Sequence, residues 1–363
     1  MTAIETRMVR IDPLYPQAAV VAWAADLIRA GRLVAFPTET VYGLGANALD
    51  AEAVARIFEA KGRPSSDPLI VHIGDLGGLA DVVPPPVAAD PVVQALAAAF
   101  WPGPLTLILP RGQAIPDVVT AGLPTVAVRM PSAPFPQRLI QAARVPIAAP
   151  SANRFAHTSP TTAEHVKADL DGRISAIIDG GPCAIGVEST ILDITQRPFR
   201  LLRPGGVGQA AISEALHKAG IEVAVVEVAR YAGESETVSA PGQLLKHYAP
   251  NVPLILFTGP EAAVRQTLCT EAQRRAAAGQ KVGVLCLDGD FPCPETFDEA
   301  YIFSFSAVDG LQEAAHRLFD SLRALEERQV DVILTRLFPD QGLGHAVNDR
   351  LIRAAAGNVI QVA

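Results

Sequence analysis

Cysteine, lysine and aromatic residues are all scarce in this 363-residue chain. The four cysteines, Cys183, Cys269, Cys286 and Cys293, form no C-x-x-C pair. Their scatter excludes a zinc ribbon, a ferredoxin-type iron–sulfur site and a disulfide scaffold, and suits a reducing cytosol. No run of eighteen uncharged apolar residues exists, so no membrane-spanning helix is expected. The first residues, MTAIETRMVRID, carry acids where a signal peptide needs a basic start and an apolar run. A soluble, cytoplasmic protein without a membrane partner is the expectation. Several catalytic signatures are missing as well: no G-x-x-x-x-G-K-[ST], no H-E-x-x-H, no G-x-S-x-G and no kinase set. The glycine cluster Gly205-Gly206-Val207-Gly208 follows a strand pattern but does not spell a dinucleotide fingerprint. A phosphate site here has to be built from side chains.

What remains is ample for two cores. The chain is 49% apolar and only 19% charged, and its length is about twice that of a usual domain. The net charge of −8 is uneven: residues 1–210 hold 17 Lys+Arg against 18 Asp+Glu, and the rest hold 13 against 20. Tight nonspecific binding of nucleic acid is disfavoured, although the first part has room for a local basic patch.

Both parts read as α/β. In the first, apolar β-branched runs at 33–36, 69–73, 105–109, 125–130, 145–149, 176–179, 187–194 and 200–203 alternate with helical patterns. One helix spans 18–30 and stops at Gly31. Another follows Asp50, with Val54, Ile57 and Phe58 on one face and Gly62 as its stop. Residues 228–250 are small, polar and prolyl, and mark a linker or lid between domains 1–227 and 251–363. Beyond them, strands at 253–257, 281–287, 301–305 and 330–335 alternate with helices at 260–278, at 308–328 and from about 348. That rhythm predicts a small Rossmann-like parallel sheet, without a glycine-rich loop after its first strand.

Four groups carry possible chemistry. Phe36-Pro37-Thr38-Glu39-Thr40-Val41-Tyr42-Gly43-Leu44-Gly45 sits at a strand's C-terminal end, where open sheets bind ligands; an ordinary turn fits the pattern equally well. Lys61-Gly62-Arg63-Pro64-Ser65-Ser66-Asp67-Pro68 places two cations at a helix C-terminus. They serve either the helix dipole or an anion clamp. In the strand that follows, His72 shares a face with Ile70 and reads as a hydrogen-bonded core histidine. In Thr125–Pro131, Arg129 shares a face with Thr125 and Ala127, and burial there requires an anion or a carboxylate on a neighbouring strand. The last group is Ala148–Asn153 with Ser159–Thr162, Gly186–Ile191 and Leu202–Gly205, all strand ends with hydroxyls or a cation. Together the four describe a site rich in Arg, Lys, Ser, Thr and Asn, with no metal cage and no evident nucleophile.

In their order, P-T-E-T-V-Y-G-L-G, K-G-R-P, P-L-I-V-H, A-V-R-M-P, A-P-S-A-N, S-P-T, G-V-E-S-T-I and L-R-P-G resemble the YrdC-type L-threonylcarbamoyladenylate synthases over residues 20–210. The segments Ser239-Ala240-Pro241-Gly242 and Lys246-His247-Tyr248-Ala249-Pro250 resemble the linker of that family's two-domain form. The resemblance implies a twisted open α/β sheet with an electropositive cavity, followed by a smaller Rossmann-like domain. It implies that L-threonine, bicarbonate and ATP, with Mg²⁺ on the nucleotide and no tightly bound organic cofactor, give threonylcarbamoyl-AMP, pyrophosphate and water. The product would pass to a separate transferase that modifies tRNA beside the anticodon, and weak contact with tRNA is compatible with this. Thr40, His72, Arg129, Ala149 and Ser189 would line the threonine pocket. Arg63, Thr125, Ser151, Ser159 and Arg203 would hold ATP, Lys61 and Asn153 would complete a K-x-R…S-x-N set, and Tyr248 would lie over the closed site. Asp67 departs from the Asn or His common in relatives; a carboxylate there repels ATP unless it faces Mg²⁺ or solvent. Two other classes fit the sequence less well. An RNA-binding accessory protein is disfavoured by the acidic total, and a hydrogenase-maturation carbamoyltransferase needs cysteine-rich fingers that this chain lacks.

Overall fold

Asp50 starts the helix that delivers the first cation of the site. Its carboxylate accepts from the backbone N–H groups of Glu52 and Ala53 at 3.0 and 3.1 Å, and Gly62 ends the helix at φ 65°. Caps of this kind are worth about 1 kcal/mol each. Between them Ala51–Lys61 buries Val54, Ile57 and Phe58 on one face, as its spacing predicts. The computed structural model describes residues 4–228, 248–291, 301–306 and 310–363. Most of the linker read at 228–250, including Ser239–Gly242, Lys246 and His247, lies outside the described residues.

The chain forms two compact units: Met1–Phe155 with Ser159–Leu244, and Ala156–Thr158 with Leu245–Ala363. In the first, the strands are β1 (Arg7–Arg10), β2 (Val34–Phe36), β3 (Gly43–Asn47), β4 (Ile70–His72), β5 (Leu105–Pro110), β6 (Thr125–Arg129), β7 (Ile147–Ala148), β8 (Ala176–Asp179), β9 (Thr190–Asp193), β10 (Phe199–Arg203) and β11 (Val225–Glu227). They form one mixed sheet in the order β1-β8-β2-β3-β7-β4-β6-β5-β9-β10-β11. β3 replaces part of the loop expected at 36–45. Its glycines hide it from propensity, yet Gly45 is needed there: a Cβ would meet Phe36 Cε1 at 2.5 Å and Ile147 Cγ2 at 2.9 Å.

Period two sorts the central strands. Leu69, Val71, Leu105, Leu107, Val126 and Val128 enter the main core, while Ile70, Ile108, Ala127, Ile191 and Leu202 form a smaller apolar cluster. The register aligns His72 with Arg129, Arg129 with Thr106, Thr106 with Ile191 and Ile191 with Arg203. That row carries the site.

The second unit has β12 (Leu254–Thr258), β13 (Val282–Leu287), β14 (Ile302–Phe305), β15 (Val332–Arg336) and β16 (Val359–Gln361). They make a wholly parallel sheet in the order β14-β13-β15-β12-β16, with helices Glu261–Ala277, Gly310–Glu327 and Leu343–Ala354. The last helix starts earlier than expected, after Gly342 at φ 55°. No sequence pattern announced β16, whose three residues are all exposed. Ala156–Thr158 is built into this unit: Ala249 N–H donates to Ala156 O at 3.0 Å, and Arg323 Nη2 donates to Thr158 O at 2.5 Å. Tyr248 is buried here too, 1% exposed, its ring 5.6 Å from Phe319 and under the guanidinium of Arg350.

Cys183 and Cys286 are buried free thiols. Cys269 is disulfide-bonded, a pairing that the scattered spacing of the four cysteines does not announce. Among the described residues no helix is long and apolar enough to cross a membrane.

Candidate active site

Arg129 ends β6 on the face of Thr125 and Ala127, and it is buried. Its Nε donates to Gly103 O at 3.3 Å, and its Nη1 donates to Thr40 Oγ1 at 2.9 Å. Nη2 lies 2.6 Å from Glu39 Oε1. The compensating carboxylate therefore comes from the loop after β2 and not from a neighbouring strand. Burial alone would raise the Glu39 carboxyl, but the Arg129 charge and nearby N–H groups outweigh it and hold it below its ordinary value. Thr38 Oγ lies 2.9 Å from Thr40 Oγ1 and donates to Val41 O at 2.7 Å, which fixes the turn that presents Glu39 and Thr40. The first motif is thus more than an ordinary turn.

Next to Arg129 across the register stands His72, buried, with Nδ1 3.3 Å from Ile70 O. Burial and the charge of Arg129 push its pKa down to about 3, so the ring is neutral at physiological pH. Ala149 abuts the same strand through its backbone N–H, which donates to Ile70 O at 2.9 Å.

Lys61 turns away from its own helix. Its Nζ donates to Ser151 O at 2.6 Å, to Asn153 O at 2.5 Å and to Asn153 Oδ1 at 3.3 Å. Ser151 Oγ in turn donates to Asn153 Oδ1 at 2.5 Å. The dipole reading explains a cation at this position but not a buried one tied to a segment 90 residues away. Burial, with Arg63 beside it, lowers the Lys61 pKa well below the usual value. Arg63 donates from Nε to Asp67 O at 3.2 Å and from Nη2 to Pro68 O at 2.8 Å, and Nη2 lies 2.9 Å from Asp67 Oδ1. Asp67 therefore faces Arg63 in the interior, and the solvent-facing alternative does not hold.

Arg203, at the end of β10, donates from Nε to Ser189 O at 3.1 Å and from Nη2 to Ser189 Oγ at 3.2 Å. Ser189 Oγ also meets Thr106 Oγ1 at 2.7 Å. Ser159 donates to Glu188 Oε1 at 2.5 Å. Gly205 permits this closeness, since a Cβ there would meet Glu188 O and Thr190 N at 2.4 Å. Thr125 lies at the other end of β6, four residues from Arg129, opposite Pro110. One row thus gathers Thr40, His72, Arg129, Ser189 and Arg203, and a second cluster holds Lys61, Arg63, Ser151 and Asn153.

Sequence reasoning passed over Thr106, Glu188 and the partnership of Glu39. Thr106 had a usable signal: it is the lone hydroxyl in an otherwise apolar strand, on the face of Arg129 by register.

Residues 26–205 match the Sua5/YciO/YrdC family, described as telomere recombination, and residues 207–356 match the family described as threonylcarbamoyl-AMP synthase, C-terminal domain. The chain is 45% identical to the threonylcarbamoyl-AMP synthase of Pyrococcus abyssi (strain GE5 / Orsay) over 339 residues, covering 93% of this chain and 95% of the relative. It is 44% identical to the threonylcarbamoyl-AMP synthase of Bacillus subtilis (strain 168) over 351 residues, covering 96% and 97%. Its fold is similar, with a TM-score of 0.88, to the crystal structure of P. abyssi Sua5 complexed with L-threonine, at 42% identity and covering 99% of this chain and 100% of that one. By motif, fold and full-length similarity, the chain belongs to the two-domain form of the Sua5/YciO/YrdC family, whose C-terminal domain is that of threonylcarbamoyl-AMP synthases.

Proposed function

We propose that this chain is an L-threonylcarbamoyladenylate synthase: it joins L-threonine and bicarbonate to the AMP part of ATP and releases pyrophosphate and water. The observation that carries the reading is the pairing of two buried cationic clusters on family motifs. Arg129, with Thr40, His72, Ala149 and Ser189, suits an amino acid. Lys61 and Arg63, with Ser151 and Asn153, suit a polyphosphate, and Arg203, Ser159 and Thr125 are placed with the nucleotide on the resemblance alone.

The chemistry needs no protein nucleophile. The amine of threonine and bicarbonate give a carbamate and water. A carbamate oxygen then attacks the α-phosphorus of ATP, and the bond to pyrophosphate breaks. Arg63 and Arg203 are buried donors suited to the charge that accumulates on the phosphoryl oxygens, and Lys61 locks the Ser151–Asn153 segment that frames them. His72, being neutral, adds a polar ring beside Arg129 without a competing positive charge.

Mg²⁺ would enter with ATP, held by the phosphates and a few carboxylates at most. The carboxylates on this side are already engaged, Asp67 by Arg63 and Glu188 by Ser159, so the donor set fits an ion carried by the nucleotide better than a protein cage. The assignment of Tyr248 to the nucleotide rests on the resemblance, since its ring packs on Phe319 and Arg350 here. A cytoplasmic location and a downstream tRNA-modifying transferase complete the proposal. The test is incubation with ATP, bicarbonate and each amino acid in turn, followed by mass spectrometry of the acyl-adenylate. L-threonine should give the dominant product; an adenylate formed equally from unrelated amino acids would defeat the reading.

A further inference from the structure

β1, β8 and β2 run parallel, and the Thr38–Thr40 turn follows the C-terminal end of β2. At the opposite, N-terminal ends of these strands lies a cavity of about 470 Å³, floored by the buried Leu33 and Ile174. Three arginines from separate stretches of chain line it. Arg32 follows the helix Ala18–Arg29, Arg56 belongs to Ala51–Lys61, and Arg173 lies in the turn after the helix Ala163–Leu170. Arg56 Nη1 donates to Gly31 O at 2.7 Å and Arg173 Nη1 to Ala60 O at 3.3 Å, which anchors both guanidinium groups to backbone. A guanidinium has five donors, so most of theirs remain for a ligand or for water. Arg32 and Arg173 pair with no carboxylate among the described residues, and Arg56 reaches only the exposed Glu52, at 3.7 Å. Glu59, one turn after Arg56, is the one carboxylate of the lining, and it forms no ion pair with the three arginines. Gathering three like charges without their counter-ions costs free energy that a bound anion recovers.

We propose that this cavity is a second ligand site, separate from the catalytic one, and that it takes a guanine nucleoside monophosphate. The phosphate would sit among Arg32, Arg56 and Arg173, whose planar forks match its oxygens. The base would lie over Leu33 and Ile174 with its donor edge on Glu59. The volume falls in the range of small-molecule sites, roughly 300–1,000 Å³. Inorganic phosphate would leave the apolar floor uncovered and face repulsion from Glu59. An ionised carboxylate only accepts hydrogen bonds, so the ring edge that meets Glu59 has to donate. Guanine sets its N1–H and 2-amino group side by side. Adenine sets its amino group beside a bare ring nitrogen, whose lone pair would oppose the carboxylate.

The test is calorimetric titration of the full-length protein with GMP and with AMP, with melting curves recorded for every variant. The native chain should prefer GMP by about tenfold, as expected for a bidentate contact to a base edge. Arg32→Glu and Arg173→Gln, both at exposed positions, should each weaken GMP by about tenfold or more, the loss expected of a charge-assisted hydrogen bond. Glu59→Gln should bring the two nucleotides to within about twofold of each other. Arg63→Ala, which lies outside the cavity, should bind GMP like the native chain. Failure of the native chain to bind GMP overturns the proposal, as does native-like binding by Arg32→Glu and Arg173→Gln. Loss of GMP binding in Arg63→Ala would assign the nucleotide to the Lys61–Arg63 cluster and overturn it too. Equal affinity of the native chain for GMP and AMP would remove the role given to Glu59, and the guanine site with it.

Discussion

Arg63 and Asp67 form an ion pair sealed from solvent, with Nη2 2.9 Å from Oδ1 and side chains only 3% and 1% exposed. Burial raises the Asp67 carboxyl, while Arg63, Lys61 and Arg203 pull it back. A negative charge is thus kept inside a cationic cluster, where it restrains Arg63 and offsets part of the positive potential. Its raised carboxyl means that ionised Asp67 costs stability above its unfolded value of 3.8.

Asp67→Asn removes that charge and keeps an acceptor for Arg63. The KM for ATP should fall about threefold to tenfold, because one charge facing the polyphosphate is gone. The melting temperature should stay within a few degrees, since the lost ion pair and the relieved buried charge oppose each other. An unchanged KM would place Asp67 clear of the nucleotide.

Lys61→Ala and Arg63→Ala should each lower kcat on the order of 10²-fold. Lys61→Ala should also depress the melting temperature, because Ser151 O and Asn153 O lose a buried donor, at about 1–3 kcal/mol for each group left unsatisfied. If these cations only complemented the helix dipole, activity would be near normal and destabilisation slight.

His72 gives stability a pH dependence. Its folded pKa of about 3 lies below the ordinary 6.5, so the unfolded chain binds the extra proton between those values. Stability from this group is complete above pH 6.5 and is lost as pH falls, at up to about 1.4 kcal/mol per pH unit. Comparing denaturant unfolding of the native chain and His72→Gln between pH 6.5 and 5 isolates it; the variant should show the shallower slope. Parallel curves would place the ring in a solvated setting. Staying above pH 5 also avoids the Glu39 carboxyl, whose contribution is lost only below about 4.5.

Gly205→Ala should cost activity and stability together. Its Cβ would strike the backbone at Glu188 and Thr190, which cannot swing aside, and would displace Arg203 from Ser189. A loss of about 1–3 kcal/mol with impaired turnover is expected from thermal unfolding and rate measured on one sample. Normal values for both would mean that β9 and β10 separate easily.

Legibility followed periodicity. The faces of β4 and β6 could be read directly, which put His72 with Ile70 and Arg129 with Ala127, as the two apolar clusters confirm. The helix Ala51–Lys61 was legible because its cap, stripe and stop glycine agree. The partners of its cations were not. Lys61 reaches Ser151 and Arg129 reaches Glu39 across about 90 residues, and no local pattern encodes such a pairing. β3 stayed hidden because glycine, demanded by Phe36 above it, erases strand propensity. Ala156–Thr158 falls within the stretch 1–227 read as the first domain; its place in the second unit depends on Arg323 and Ala249 far along the chain.

The most direct test of the central claim is pyrophosphate release from ATP, measured with L-threonine and bicarbonate supplied together and with each omitted in turn. The account predicts release only when both are present, with L-serine poorer because a missing methyl in a shaped pocket is worth roughly 1–3 kcal/mol. Equal release with either one omitted would contradict it.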